Sequence, residues 1–255
     1  MNIFQKMADI FAKYHQMIFK GIGYTMLVSI IGTIIGLVIG LLIGVFRTMP
    51  TPKNKFLRVL KKAADWILSA YVEIFRGTPM MVQAMVIFWG YAFANGGKTL
   101  PVIPAGIFIV SINTGAYMAE IVRGGIISVD RGQFEAAYAI GMNHWNAMLH
   151  VVIPQVLRNI LPSVSNEFVI NIKDTSVLNV IGVTELYYIA GVIYRANFKM
   201  FQDYAIVCVI YFILTFTVTR LLRLLEKKLA GGKSYTICGS QSDSAAEIHI
   251  TEEGT

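Results

Sequence analysis

Long apolar runs broken by short clusters of charge set the pattern of this chain. Residues 21–46, 77–97 and 99–119 contain no charged side chain. Each run is longer than the roughly 20 residues a helix needs to cross a bilayer core. The pattern predicts five spans, at about 22–46, 66–94, 102–127, 157–178 and 204–225. The fourth is the weakest, because Glu167, Lys173 and Asp174 interrupt it. A further apolar stretch, 181–193, is too short to cross comfortably and reads as a re-entrant or interfacial segment packed on the other helices.

Composition agrees with the pattern. Of 255 residues, 55% are hydrophobic and 15% charged, with a mean hydropathy of +0.60. A soluble globular domain carries about 25% charged residues, so too few are present here to clothe a water-facing surface. The expected class is an all-α polytopic membrane protein. A net charge of +7 raises the question of nucleic acid. The basic residues instead sit in short clusters beside apolar spans, as in cytoplasmic loops of membrane proteins. No nucleic-acid partner is expected. Cys208 and Cys238 lie in an apolar span and a polar tail, and nothing has metal-ligand spacing. The start of the chain lacks a small-residue cleavage pattern, and the apolar run after it is too long for a signal-peptide core.

Orientation follows from lysine and arginine. Arg47, Lys53, Lys55, Arg58, Lys61 and Lys62 lie between spans one and two, and Arg220, Arg223, Lys227, Lys228 and Lys233 follow span five. The positive-inside tendency then places the N-terminus out and the C-terminus in. Residues 1–20 are mildly amphipathic and expected at the outer interface. Residues 21–228 form the transmembrane domain. Residues 229–255 are Gly/Ser-rich and then acidic, and are expected to be a cytoplasmic tail with nothing to pack.

Three features suggest more than a bundle. Gly32, Gly36, Gly40 and Gly44 recur every fourth residue. They make a smooth helical stripe, suited either to packing within the chain or to a subunit interface. Between spans three and four, Asp130 with Gln133 resembles a capping box, and Gly141 suits a left-handed helix stop. Asn143 is placed to cap a second short helix, and Pro154 to open span four. This 130–154 segment reads as a compact helix-turn-helix. Finally, Asn113, Tyr117 and Glu120 share one face of span three. Asn159, Ser163, Asn166, Glu167, Asn171 and Asp174 form a second polar stripe. Carboxylates inside a bilayer cost roughly 2.5–3.5 kcal/mol each on insertion scales, and usually face a cavity or a partner. Glu120 with Arg123, and Glu73 with Arg76, are alternatively spaced for simple ion pairs.

Glu135-Ala136-Ala137, three residues, Gly141, nine residues and Val151-Val152-Ile153-Pro154 together resemble the EAA signature of binding-protein-dependent ABC importer permeases. Val151 and Ile153 are conservative departures from it. Tyr71 to Pro79, Asn113 to Gly125 and Asn171 to Ser176 are similar to the polar amino acid branch of that superfamily, over about residues 18–228. The resemblance implies a type I importer permease of five transmembrane helices, working as a dimer with a second copy or a paralogue in a bacterial cell membrane. It also implies an extracytoplasmic amino acid binding protein and a separate ABC ATPase subunit. Gln133, Glu135, Ala136, Ala137 and Gly141 would form the coupling helix that seats on the ATPase. His144 and His150 would face that partner or water.

No cofactor is expected on this chain. Gly97-Lys98-Thr99 looks like the end of a phosphate-binding loop, but Ala92 stands where the first glycine is required. ATP is thus left to the partner subunit, and no chemistry on substrate is expected. A zwitterionic substrate needs an acceptor for its ammonium and donors for its carboxylate. Glu120 and Asp174 match the first need, and Asn113, Tyr117 and Ser176 the second. In related permeases the two acidic positions resemble substrate contacts. An ion-coupled secondary transporter is the rival reading. It also needs acids at mid-membrane, but not a docking loop.

Overall fold

The computed structural model describes residues 2–229. The expected tail lies outside the described residues, Leu229 apart, as does Cys238. Every element is helical: α1 Ile3–Thr48, α2 Lys55–Gly77, α3 Met80–Ala94, α4 Val102–Ile127, α5 Arg131–Ala139, α6 His144–Ala147, α7 Ile153–Asp174, α8 Leu186–Asn197 and α9 Met200–Leu229. A π-helical turn, Met148–Val152, joins α6 to α7, and a 3-10 turn, Thr175–Ile181, follows α7. Among the described residues, four helical stretches are long and apolar enough to cross a membrane: Ile3–Thr48, Val102–Ile127, His144–Ile181 and Met200–Lys228.

The boundaries of α4 fall where the sequence predicts span three. Two other expectations change. No break separates an N-terminal interfacial helix from span one, since α1 is continuous over 46 residues. It starts at a capping box in which the Asn2 side chain accepts from the Ile3 amide at 2.8 Å and Gln5 Oε1 accepts from the Asn2 amide at 3.1 Å. It stops before Pro50, whose ring disfavours helical geometry in the preceding residue. The expected second span is two helices broken at Thr78-Pro79, because proline has no N–H to continue the ladder. The apolar part, α3, has 15 residues and a length of about 22 Å, short of a bilayer core of about 30 Å.

The break leaves carbonyls of α2 without helical partners. Gln83 Nε2 donates to the Phe75 and Thr78 carbonyls at 2.9 Å each. Asn113 Nδ2, from α4, donates to Gln83 Oε1 at 2.9 Å and to the Phe75 carbonyl at 3.3 Å. Tyr71 Oη donates to the Ile112 carbonyl at 2.5 Å, fastening α2 to α4 once more.

The glycine stripe of α1 is used within the chain. A Cβ on Gly32, Gly36, Gly40 or Gly44 would run into Val110, Thr114, Met118 or Val122 of α4, one turn after another. The two helices therefore lie parallel at backbone contact, as small-residue stripes allow. Three apolar clusters complete the packing. Val28, Phe88, Ile109 and Leu178 join α1, α3, α4 and the 3-10 turn. Ile18, Leu186, Ile193 and Ile206 join α1, α8 and α9. Val122, Ile126, Met148 and Val156 join α4 to the π turn and α7.

Candidate functional site

The helix-turn-helix forms as expected, with one change in its cap. Asp130 Oδ1 accepts from the Gly132 amide at 2.6 Å. Gln133 does not reach back to complete a box; its Oε1 accepts from Gln155 Nε2 at 3.3 Å instead. Gly141 has φ 83°, and the Met142 amide donates to the Ala137 carbonyl at 3.0 Å, closing α5 with a left-handed residue. Asn143 caps α6 through the Asn146 amide at 2.9 Å, and Pro154 lies in the first turn of α7. Gln133, Glu135, Ala136 and Gly141 are exposed, while Ala137 is buried at the base. Tyr138, Ile140, Trp145 and Leu149 also stand exposed there, an apolar surface on a segment too polar to cross a bilayer.

The polar residues of α4 share a face but not a partner. Asn113 is held by Gln83 and the broken α2–α3 junction. Tyr117 has the Arg76 guanidinium over its ring, 5.5 Å from the centroid. Glu120 accepts from Arg47 Nη1 of α1 at 2.5 Å and from Arg123 Nη2 at 2.8 Å. Arg47 also donates to Ser69 of α2 at 3.2 Å. Glu120 thus ties the end of α1 to α4, and Arg47 extends the link to the middle of α2. A ligand reaching it meets a carboxylate already holding two guanidinium groups.

Nearly two turns away along α4, Asn171 of α7 donates through Nδ2 to Thr33 Oγ1 of α1 at 2.8 Å and to Thr114 Oγ1 of α4 at 3.0 Å. All three are buried. Glu185, absent from the sequence reading, is fully buried. Its carboxylate caps α8 by accepting from the Tyr187 and Tyr188 amides at 2.9 and 2.7 Å, and takes the Tyr211 hydroxyl of α9 at 2.6 Å. A lone acid inside the apolar stretch 181–193 was the available signal, since membrane carboxylates rarely stand without a task.

Asp174 and Ser176 lie elsewhere. Asp174 ends α7 half-buried, and Ser176 opens onto a cavity of about 370 Å³ beside Lys173, Tyr187, Tyr204, Cys208 and Tyr211. A second cavity of about 240 Å³ continues along α9, lined by Lys173, Thr215, Thr219, Arg220 and Arg223. No hydrogen bond joins these residues to Asn113, Tyr117 or Glu120. The five residues expected to meet a substrate thus fall into two groups. One is taken up in helix-to-helix fastening; in the other, Ser176 faces the hollow beside α8 and α9 while Asp174 ends α7 half-buried. Among the described residues no cluster of His, Cys, Asp and Glu is arranged to hold a metal.

Apolar helices fastened by buried polar staples, with a short helix-turn-helix exposed between α4 and α7, define a polytopic helical membrane protein. Residues 36–231 match the family described as binding-protein-dependent transport system inner membrane component. The chain is 36% identical over 166 residues to the glutamine transport system permease protein GlnP of Escherichia coli, covering 65% of this chain and 76% of that one. It is 39% identical over 165 residues to the L-cystine transport system permease protein TcyB of Bacillus subtilis, covering 64% and 70%. A solved amino acid ABC transporter, crystallised with histidines, is 35% identical with a TM-score of 0.73, over 85% of this chain and 96% of that one. The inward-facing MetNI methionine ABC transporter shares the fold at 18% identity and a TM-score of 0.70, over 85% and 98%. The chain belongs to the binding-protein-dependent transport system inner membrane component family, and is a transport subunit of a membrane rather than an enzyme.

Proposed function

We propose that this chain is the permease of an ATP-binding-cassette importer that moves polar amino acids into a bacterial cell by alternating access. The observation that carries the reading is the displayed α5–α6 segment, which bears the EAA pattern and an exposed apolar surface for an ATPase subunit to cover. Relatives named for glutamine and cystine transport support the substrate class. An extracytoplasmic binding protein delivers the amino acid, and a second permease, identical or paralogous, completes the pathway. Transport then lies in residues 21–228, with 1–20 an extracytoplasmic continuation of α1 and 229–255 a cytoplasmic tail. Of the substrate contacts, Asp174 and Ser176 are the readily available ones. Asn113, Tyr117 and Glu120 act as contacts only where their present partners yield. Reading the chain as an ion-coupled transporter is less favoured, because Glu120 and Glu185 are already engaged by donors.

The test is assembly. Gently extracted, the chain should retain an ATPase subunit. In liposomes with its binding protein, ATP hydrolysis should rise several-fold when one member of an amino acid panel is added. A chain that imports amino acids with no ATPase attached, driven by an ion gradient, would overturn the reading. Topology has its own outcome. We propose type I architecture with five crossings, α2 and α3 together making the second, N-terminus out. With Cys208 and Cys238 replaced, cysteine at Asn54 should resist an impermeant thiol reagent in right-side-out vesicles, and cysteine at Asn95 should react. The opposite labelling would reverse the orientation.

A further inference from the structure

The ion pair that the spacing of Glu73 and Arg76 allows does not form. Among the described residues, neither side chain makes a hydrogen bond or an ion pair. Arg76 only lies over the Tyr117 ring, 5.5 Å from its centroid. Both residues are exposed. Their depth follows from Asn113, which stands near the middle of the 26-residue α4 and donates to the Phe75 carbonyl at 3.3 Å. Glu73 and Arg76 flank Phe75 in α2, so their backbones lie within about 3 Å of that level. α4 itself is long and apolar enough to cross a membrane. A carboxylate and a guanidinium thus stand unpaired close to mid-membrane, where ionisable groups pair with one another or face a cavity.

The rest of α2 shows what is left uncovered. Arg58, Lys62, Asp65, Ser69, Glu73 and Arg76 follow one another every third or fourth residue, a single helical stripe. In its middle, Asp65 accepts from Lys61 at 2.7 Å and Ser69 accepts from Arg47 of α1 at 3.2 Å, so that part is satisfied within the chain. Across the helix, Leu60, Ile67 and Ile74 recur every seventh residue and are 57%, 60% and 58% exposed, a face suited to lipid. Glu73 and Arg76 belong to neither group. Beside them, nothing lies within 4 Å of a Cβ at Gly77, so another helix has room to approach.

The two charges are complementary to themselves. They are opposite in sign and three residues apart, about 4.5 Å along the axis. A two-fold axis along the membrane normal, the commonest symmetry of a dimer, sets a second α2 beside the first and in the same direction. Each Glu73 then comes beside the Arg76 of the other copy, across an offset that two long side chains span. An unrelated helix would need its own acid and base at matching depths. We propose that the α2 face bearing Glu73 and Arg76 is where two copies of this chain meet inside the membrane, the Glu73 carboxylate of each accepting from the Arg76 guanidinium of the other. This rests on the permease reading above, and makes the second permease a copy of this chain.

The test co-expresses two differently tagged copies of the full chain with the ATPase subunit and captures one tag in detergent without nucleotide. A charge-assisted hydrogen bond contributes roughly 10- to 150-fold in affinity. Glu73→Arg in both copies, or Arg76→Glu in both, should cut recovery of the second tag by about 10-fold or more. Glu73→Arg in one copy with Arg76→Glu in the other should restore most of it, because acid then meets base only across the interface. Cross-linking in native membranes reads the same face with the parental charges. With Cys208 and Cys238 replaced, Gly77→Cys should form a disulfide between copies on oxidation, and Ile74→Cys should not. A mixed pair recovered no better than the like pairs, or cross-links at 74 and not at 77, would overturn the proposal. So would parent copies that hold the ATPase but not each other. A parent that holds no ATPase would instead strike the permease reading beneath it.

Discussion

Gly40→Ala should unfold or largely destabilise this chain, although it adds a single methyl group. A Cβ at Gly40 would lie 2.7 Å from the Met118 carbonyl carbon and 2.9 Å from the Ala119 amide nitrogen. Both are backbone atoms of α4, so no rotamer change relieves the clash and the helices must separate. Overpacking a core costs about 1–3 kcal/mol where side chains can adjust, and more where they cannot. Separation would also pull Asn171 from its bridge between Thr33 and Thr114, leaving polar groups unpaired where water does not reach. The expected loss is on the order of 3 kcal/mol or more, read as a collapse in folded yield after detergent extraction. Gly23→Ala is the control, because nothing lies within 4 Å of a Cβ there. Alanine favours the helix by about 1 kcal/mol over glycine, so this variant should be as stable as the parent or slightly more so. Equal behaviour of the two would mean that α1 and α4 are not in backbone contact.

The same stripe shows what the sequence could and could not tell. Its four-residue period marked a close approach, but the partner was open, because a helix in the same chain and one in a second subunit need the same smooth surface. The turn segment was more legible. Asp130, Gly141, Asn143 and Pro154 each act through the backbone within a few residues, so spacing alone located them. Long-range polar pairing was hidden. Asn113, Tyr117 and Glu120 do share a face, yet Gln83, Arg76 and Arg47 come from other helices, and helical period carries no information about them. The α2–α3 break was readable from Pro79 but outweighed by the apolar run that follows it. Lys173 was visible as an interruption of span four.

Gly141→Asp should cut capture of the ATPase subunit by at least about 10-fold while leaving the permease inserted and folded. Glycine adopts φ 83° without steric cost where the chain turns from α5 into α6, and a left-handed residue costs a non-glycine side chain only about 1–2 kcal/mol. Aspartate and asparagine are the residues that bear this conformation best. A Cβ at Gly141 would meet nothing within 4 Å, so the chain itself has room for the substitution. Whatever the aspartate obstructs must therefore lie outside the chain, against the surface formed by Glu135, Ala136, Tyr138 and Trp145. Gly141→Asn separates the two physical causes, since it has nearly the same shape and backbone preference without the charge. If the partner's groove excludes an anion, asparagine should retain most of the capture and aspartate should lose it. Equal loss in both would assign the effect to bulk at the turn. Normal capture with Gly141→Asp would remove α5 and α6 from the ATPase interface, leaving their exposed aromatic surface to another partner.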